Sequence, residues 1–113
     1  MIVQRIMNLA NSNAEDKGFW EDYFQACNIK DKEVAKNMIN NAIGNRLMLI
    51  VSEVAEAQEA LRKNDFNNFA EELADIVIRV CDLAGGLNVD LEQEIVKKME
   101  INKSRPYKHG KEF

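Results

Sequence analysis

Two pairs of acidic residues have the spacing best suited to chemistry in this sequence. Glu53 and Glu56 lie three positions apart, and Glu72 and Asp75 repeat that spacing. Residues three apart in an α-helix project from nearly the same side. If two such helices pack together, four carboxylates converge, and their repulsion raises their proton affinities unless a cation compensates. The spacing therefore predicts a divalent-metal site formed by these four residues.

The ligand types narrow the choice of metal. Oxygen-only sites suit Mg²⁺, with Mn²⁺ as a substitute. Di-iron bundles use Glu-x-x-His pairs, whereas the sole histidine here, His109, lies in the C-terminal tail. Mg²⁺ keeps open water positions and commonly bridges phosphate oxygens, so the expected ligand is a phosphorylated substrate.

A second set of polar residues lies on the last predicted helix. Lys98, Asn102 and Arg105 stand at i, i+4 and i+7, and Asn102 falls on the stripe that contains Leu91 and Ile95. An ammonium, an amide and a guanidinium on one inward face can bind a triphosphate. These three residues are therefore the predicted phosphate-binding set.

Four of the eight aromatic residues fall within positions 19–24. Such a cluster is more often a plug over the end of a helical bundle than a surface for a nucleobase. Trp20 is kept as the one candidate for base stacking.

The elements that position these residues are helices, because apolar residues recur at helical spacing along almost the whole chain. The predicted architecture is an all-α antiparallel bundle of about four helices, with the last three as neighbours joined by short connections. The first predicted helix loses its apolar pattern at 11–13. The second runs from near Asp31 to 64–65, and the third from about Asn68 to Gly85–Gly86. The fourth is capped by Asp90 and ends before Pro106.

Composition limits the classes of protein that remain. A length of 113 residues, with 46% apolar residues and a single proline, predicts one domain over 1–113. A net charge of −4 argues against a nucleic-acid partner. The apolar runs are too short for a membrane span and no export signal is recognisable, so a cytoplasmic protein is expected, with Cys27 and Cys81 as reduced structural thiols.

Each acidic pair alone most often marks a solvated helix face, but two pairs beside apolar stripes on neighbouring helices favour a site. Arg79, four residues after Asp75, is expected to form an intrahelical ion pair with it. Asp82, Glu59 and Glu71 are expected to face solvent.

The arrangement Glu53-x-x-Glu56, fifteen intervening residues, then Glu72-x-x-Asp75 resembles the motif of the MazG-like all-α nucleoside triphosphate pyrophosphohydrolases. The segments 50–57, 69–79 and 98–111, the last with its Asn-Lys-x-Arg-Pro run, look like short single-domain members of that family. The resemblance covers the chain from about Lys17.

The resemblance implies hydrolysis of a nucleoside triphosphate to the monophosphate and pyrophosphate, with Mg²⁺ held by the four acidic residues. It implies that Lys98 and Arg105 bind phosphates, that the chain forms a homodimer or homotetramer, and that its role is nucleotide-pool house-cleaning, often on deoxynucleotides. A carboxylate of the cluster would accept a proton from the attacking water, and we expect that carboxylate to be Glu56.

Three other functions stay open at this point. A phosphoribosyl-ATP pyrophosphohydrolase would share the ligand set. A non-catalytic helical interaction module would use its acidic clusters only for solubility. The third is a di-iron protein. Such a protein would show an iron-dependent absorbance after aerobic purification, and we expect none here.

Overall fold

Five α-helices make up the part of the chain that the computed structural model describes, which is residues 2–111 apart from the side chain of His109. They are α1 (Ile2–Asp16), α2 (Glu21–Cys27), α3 (Lys32–Arg62), α4 (Phe66–Gly86) and α5 (Leu91–Lys103), followed by a 3₁₀ turn at Tyr107–Gly110. No strand occurs within these residues. The predicted all-α class is confirmed, with one more helix than expected.

Aspartate side chains begin the three long C-terminal helices. The carboxylates of Asp31, Asp65 and Asp90 accept hydrogen bonds of 3.0–3.1 Å from backbone N–H groups two or three residues further along. These bonds satisfy N–H groups that the first turn of a helix leaves without partners. Asp31 and Asp90 confirm two predicted starts, while α4 begins two residues before the expected Asn68 because Asp65 caps it.

Asparagines follow the ends of α3 and α4. Asn64 and Asn88 both have φ of 57°, the left-handed conformation that often ends a helix and that asparagine tolerates better than most residues. Helix α4 therefore ends at Gly86, as predicted. However, both glycines are helical, and the residue that makes the left-handed turn after the helix is Asn88.

Two N-terminal predictions are wrong. Helix α1 continues through the polar residues 11–13 to Asp16, because these residues do not all face water: the Asn11 amide donates a 3.1 Å hydrogen bond to the Asp82 carboxylate of α4. Between this helix and Asp31, where no helix was predicted, the chain forms a turn at 17–20 and then α2.

The packing is centred on α4, which lies between α1 on one side and α3 on the other, with α2 against α3. A small core of Met7, Cys81 and Ala84 joins α1 to α4. Helices α3 and α4 are neighbours as predicted, but α5 packs chiefly on α1, where Glu92 accepts hydrogen bonds from the backbone N–H groups of Val3 and Gln4. Of the thirteen residues of α5, all described, none is buried.

The chain is more extended than its length requires. Its Cα radius of gyration is 17.0 Å, whereas a compact domain of this length has about 13 Å. Its accessible surface is 8828 Å², whereas a compact monomer of 12.9 kDa exposes about 6300 Å². Among the described residues, no helix combines the length and the apolar character that crossing a membrane requires.

Candidate active site

Three of the four predicted carboxylates meet between α3 and α4. One oxygen from each of Glu53, Glu56 and Glu72 lies within 4.8 Å of the other two. Glu53 and Glu72 are 8% and 9% exposed, and Glu56 is on the solvent side of the group. The close packing of α3 on α4 thus concentrates negative charge at a place with little water to screen it.

The proximity of these groups changes their proton affinities in opposite directions. A hydrogen bond with Glu53, together with burial and the charge of Glu56, raises the pKa of Glu72 from 4.5 to about 7. The same hydrogen bond, supported by Arg79, holds the pKa of Glu53 below its ordinary value. Below about pH 7 the pair therefore behaves as an ionised Glu53 beside a protonated Glu72.

A cation fits this cluster. Oxygen Oε2 of Glu72 is buried and has no hydrogen-bond partner within the described part of the chain, and such an acceptor is costly to leave unmatched. The donor set is oxygen only, which suits a hard divalent cation. The residues present are thus compatible with the predicted metal.

Asp75 does not join the three glutamates. It is exposed on α4, one turn after Glu72, and it lines the adjoining cleft together with Glu53. The convergence of all four predicted carboxylates is therefore only partly realised.

Arg79 pairs with a different carboxylate from the one predicted. Its Nε donates a 3.0 Å hydrogen bond to Oε1 of Glu53 on the neighbouring helix. The i, i+4 rule pointed to Asp75 on the same helix, but the packing of α3 on α4 brings a buried carboxylate closer. Arg79 thereby stabilises the ionised form of Glu53.

An open cleft of about 710 Å³ adjoins the cluster, a size within the usual range for small-molecule sites. Its lining combines acidic, basic and amide side chains from α1 to α4, including Glu53, Asp75, Arg79, Asn45 and Gln25. A ligand in this cleft would have one end beside the carboxylate cluster.

Arg46 forms a buried wall of the cleft, although no spacing in the sequence pointed to it. Arg46 is 8% exposed. Its guanidinium donates two hydrogen bonds to the Asp22 carboxylate, the shorter of them 2.7 Å long. The same group also donates to the carbonyl oxygens of Phe19 and Ala42. The hydrogen bonding of Arg46 to the Asp22 carboxylate lowers the pKa of Asp22. No spacing rule connects α2 to α3, so only the fold reveals this contact.

The structure contradicts the predicted stacking role of Trp20. Its side chain is 1% exposed, its Nε1 donates a 2.8 Å hydrogen bond to Asp82, and the Arg46 guanidinium lies 4.2 Å from the ring centroid. The indole holds α2 against α4 and leaves no face for a nucleobase. Asp82, expected to face solvent, is its partner in this contact.

The predicted phosphate-binding residues lie apart from the cleft. Lys98, Asn102 and Arg105 are exposed, and none of them is among the described residues that line it. Because α5 leans on α1, a single chain brings together the acidic part of the predicted site but not its basic part.

The fold and the site define an all-α protein with a buried carboxylate cluster, suited to a divalent cation, beside an open cleft. Comparison with known families is more specific, since the family model of the MazG nucleotide pyrophosphohydrolase domain matches residues 44–106, more than half of the chain. The chain belongs to this family. Neither a curated protein nor a solved structure matches it.

The raised pKa of Glu72 predicts how the stability of the metal-free protein depends on pH. The folded chain keeps a proton that the unfolded chain has released, so the free energy of unfolding should fall as pH rises from about 4.5 to about 7 and then level off. Thermal unfolding in a chelator measures this slope. In Glu72→Gln the decline should be absent, and a wild-type profile that is flat over this range would contradict the prediction.

Proposed function

We propose that this chain is a Mg²⁺-dependent nucleoside triphosphate pyrophosphohydrolase that removes surplus or non-canonical nucleotides, with a preference for deoxynucleotides. The observation that carries the proposal is the buried Glu72 Oε2 within the cluster of Glu53 and Glu56, an oxygen without a hydrogen-bond partner among residues 2–111, in a chain of the MazG family. Residues 1–113 would act as one domain, in the cytoplasm and as a homo-oligomer.

Glu53, Glu56, Glu72 and Asp75 would hold the metal. When bound, Mg²⁺ supplies a Lewis acid that neutralises charge on phosphate oxygens, and Mn²⁺ would serve as a substitute. Asp75 is proposed with the other three because it lines the cleft beside Glu53, although it stands outside the closest group.

The chain's own residues then have distinct roles. Glu56, the exposed member of the cluster, accepts the proton of the water that attacks the α-phosphorus. Arg79 keeps Glu53 ionised through its 3.0 Å hydrogen bond. Lys98, Asn102 and Arg105 bind the phosphate oxygens, where Arg105 offers a paired donor geometry. The bond from the α-phosphorus to the bridging oxygen breaks, and pyrophosphate leaves.

A panel of ribo- and deoxynucleoside triphosphates with Mg²⁺ tests this proposal. We expect the monophosphate and pyrophosphate as first products, with loss of activity in a chelator and recovery when Mg²⁺ or Mn²⁺ is added back. Orthophosphate as the first product would contradict cleavage at the α-phosphorus.

The same panel, with phosphoribosyl-ATP added as a further substrate, separates the other functions. Turnover of phosphoribosyl-ATP alone would identify the more specialised pyrophosphohydrolase. A protein inert on every nucleotide would favour a helical interaction module.

A further inference from the structure

Arg79 lies on the side of α4 that carries two of the proposed metal ligands. It follows Glu72 by seven positions and Asp75 by four, so its side chain leaves the helix about 20° from the first and about 40° from the second. The side chain is 41% exposed and lines the cleft. A cation is therefore placed where the cleft meets the carboxylate cluster.

Most of this guanidinium is not used by the protein. Its Nε donates the 3.0 Å hydrogen bond to Glu53, whereas neither Nη1 nor Nη2 donates to an acceptor among residues 2–111. A guanidinium binds carboxylates and phosphates most strongly when two N–H groups donate in parallel. The contact with Glu53 uses a single N–H group, so the paired donors at the end of Arg79 remain available to a ligand.

The other cation in the described lining of the cleft, Arg46, is fully engaged. Its two terminal nitrogens donate to the Asp22 carboxylate and to the carbonyl oxygens of Phe19 and Ala42. Binding an anion would require Arg46 to give up some of these hydrogen bonds. Arg79 can bind one while keeping its contact with the cluster.

A phosphate in the cleft needs such a partner. The acidic residues of the lining are Glu21, Asp22, Glu53, Asp75 and Asp82, and like charges repel a phosphorylated ligand. Lys98 and Arg105 do not belong to the described lining. Because Arg79 contacts the cluster directly at Glu53, a phosphate group that reaches the cluster comes beside the terminal nitrogens of Arg79.

We propose that Arg79 is a catalytic residue whose Nε holds Glu53 while Nη1 and Nη2 donate to non-bridging oxygens of the α-phosphate. The water oxygen bonds to the α-phosphorus, its proton goes to Glu56, and the bridging oxygen leaves with pyrophosphate. The guanidinium offsets the negative charge on the non-bridging oxygens during this step. The inference rests on the proposed function, because it adds a contact to that same reaction.

Arg79→Ala, assayed at saturating Mn²⁺, tests this contact. We expect kcat/KM for the nucleoside triphosphate to fall by about 100-fold, the usual cost of losing a donor to the reacting oxygens. The α,β-methylene analogue of the same nucleotide, which cannot be cleaved at that position, should bind at least ~10-fold more weakly by calorimetry. Both effects together support the proposal.

Arg62→Gln is the matched control. It removes one cation from the exposed last turn of α3, and Arg62 is not among the described residues that line the cleft. Both kcat/KM and the affinity for the analogue should therefore stay near wild type.

Saturating Mn²⁺ separates a contact with the substrate from a role through Glu53 alone. If Arg79 only orders that carboxylate, bound Mn²⁺ should replace it, and Arg79→Ala should regain wild-type activity. Recovery of activity, or wild-type affinity for the analogue, overturns the proposal. Arg79→Gln, which keeps the aliphatic part of the side chain, is measured against the same two criteria if the alanine variant does not fold.

The wild type distinguishes this inference from the proposed function. If the wild type is inactive on every nucleotide, the proposed function itself is refuted. If the wild type is active and Arg79→Ala is equally active, only the role of Arg79 is refuted.

Discussion

Glu53→Gln is expected to lower kcat/KM for nucleoside triphosphate hydrolysis by about 100-fold or more, because loss of a metal ligand removes several kcal/mol of transition-state stabilisation. Glutamine keeps the size of the side chain and its capacity to accept a hydrogen bond from Arg79. It removes a charge that Arg79 stabilises in the folded chain, so the metal-free protein should unfold at or slightly below the wild-type temperature. Steady-state kinetics and thermal unfolding measure the two effects separately.

Glu59→Gln is the matched control for this change. Glu59 lies on the same helix, its side chain is 55% exposed, and its ion pair with Lys63 is long at 3.7 Å. Exposed pairs of this kind contribute little, so both activity and stability should stay near wild type. Equal activity of the two variants would mean that Glu53 is not a ligand.

The carboxylate cluster could be predicted from sequence because it depends on two local spacings and one packing contact. Three positions within a helix place Glu53 and Glu56 together, and the short turn at 63–65 brings Glu72 opposite them. Asp75 shows the limit of this reasoning. Sequence spacing locates a side chain around the helix to within about 60°. It does not tell whether a carboxylate oxygen of that side chain reaches the cluster.

The environment of Trp20 could not be read from local patterns. Its partners, Asp82 and Arg46, lie 62 and 26 positions away, and they meet only through the packing of α2 and α3 on α4. Of the aromatic cluster expected to form a plug, Trp20 is buried, whereas Phe19 and Phe24 are 71% and 46% exposed. The position of α5 could not be predicted from local patterns either. The short connection after α4 keeps α5 nearby, but it does not determine whether α5 packs on α1 or on α4.

Gly86 is the position where this packing is most sensitive to substitution. A Cβ atom built on Gly86 would overlap with Cη2 and Cζ2 of the Trp20 indole. The indole has little room to move away, because its Nε1 is hydrogen bonded to Asp82 and the Arg46 guanidinium lies over its ring. The same ring thus connects α4 with the buried wall of the cleft.

Gly86→Ala is therefore expected to lower the free energy of unfolding by about 1–3 kcal/mol, the usual cost of overpacking a filled interior. Gly44→Ala is the matched control, since α3 leaves open space around Gly44 and alanine there should raise stability by about 0.5–1 kcal/mol. Chemical denaturation measures both. Stabilisation by both substitutions would show that the indole does not rest on Gly86, whereas opposite signs would show that it fills the space beside Gly86.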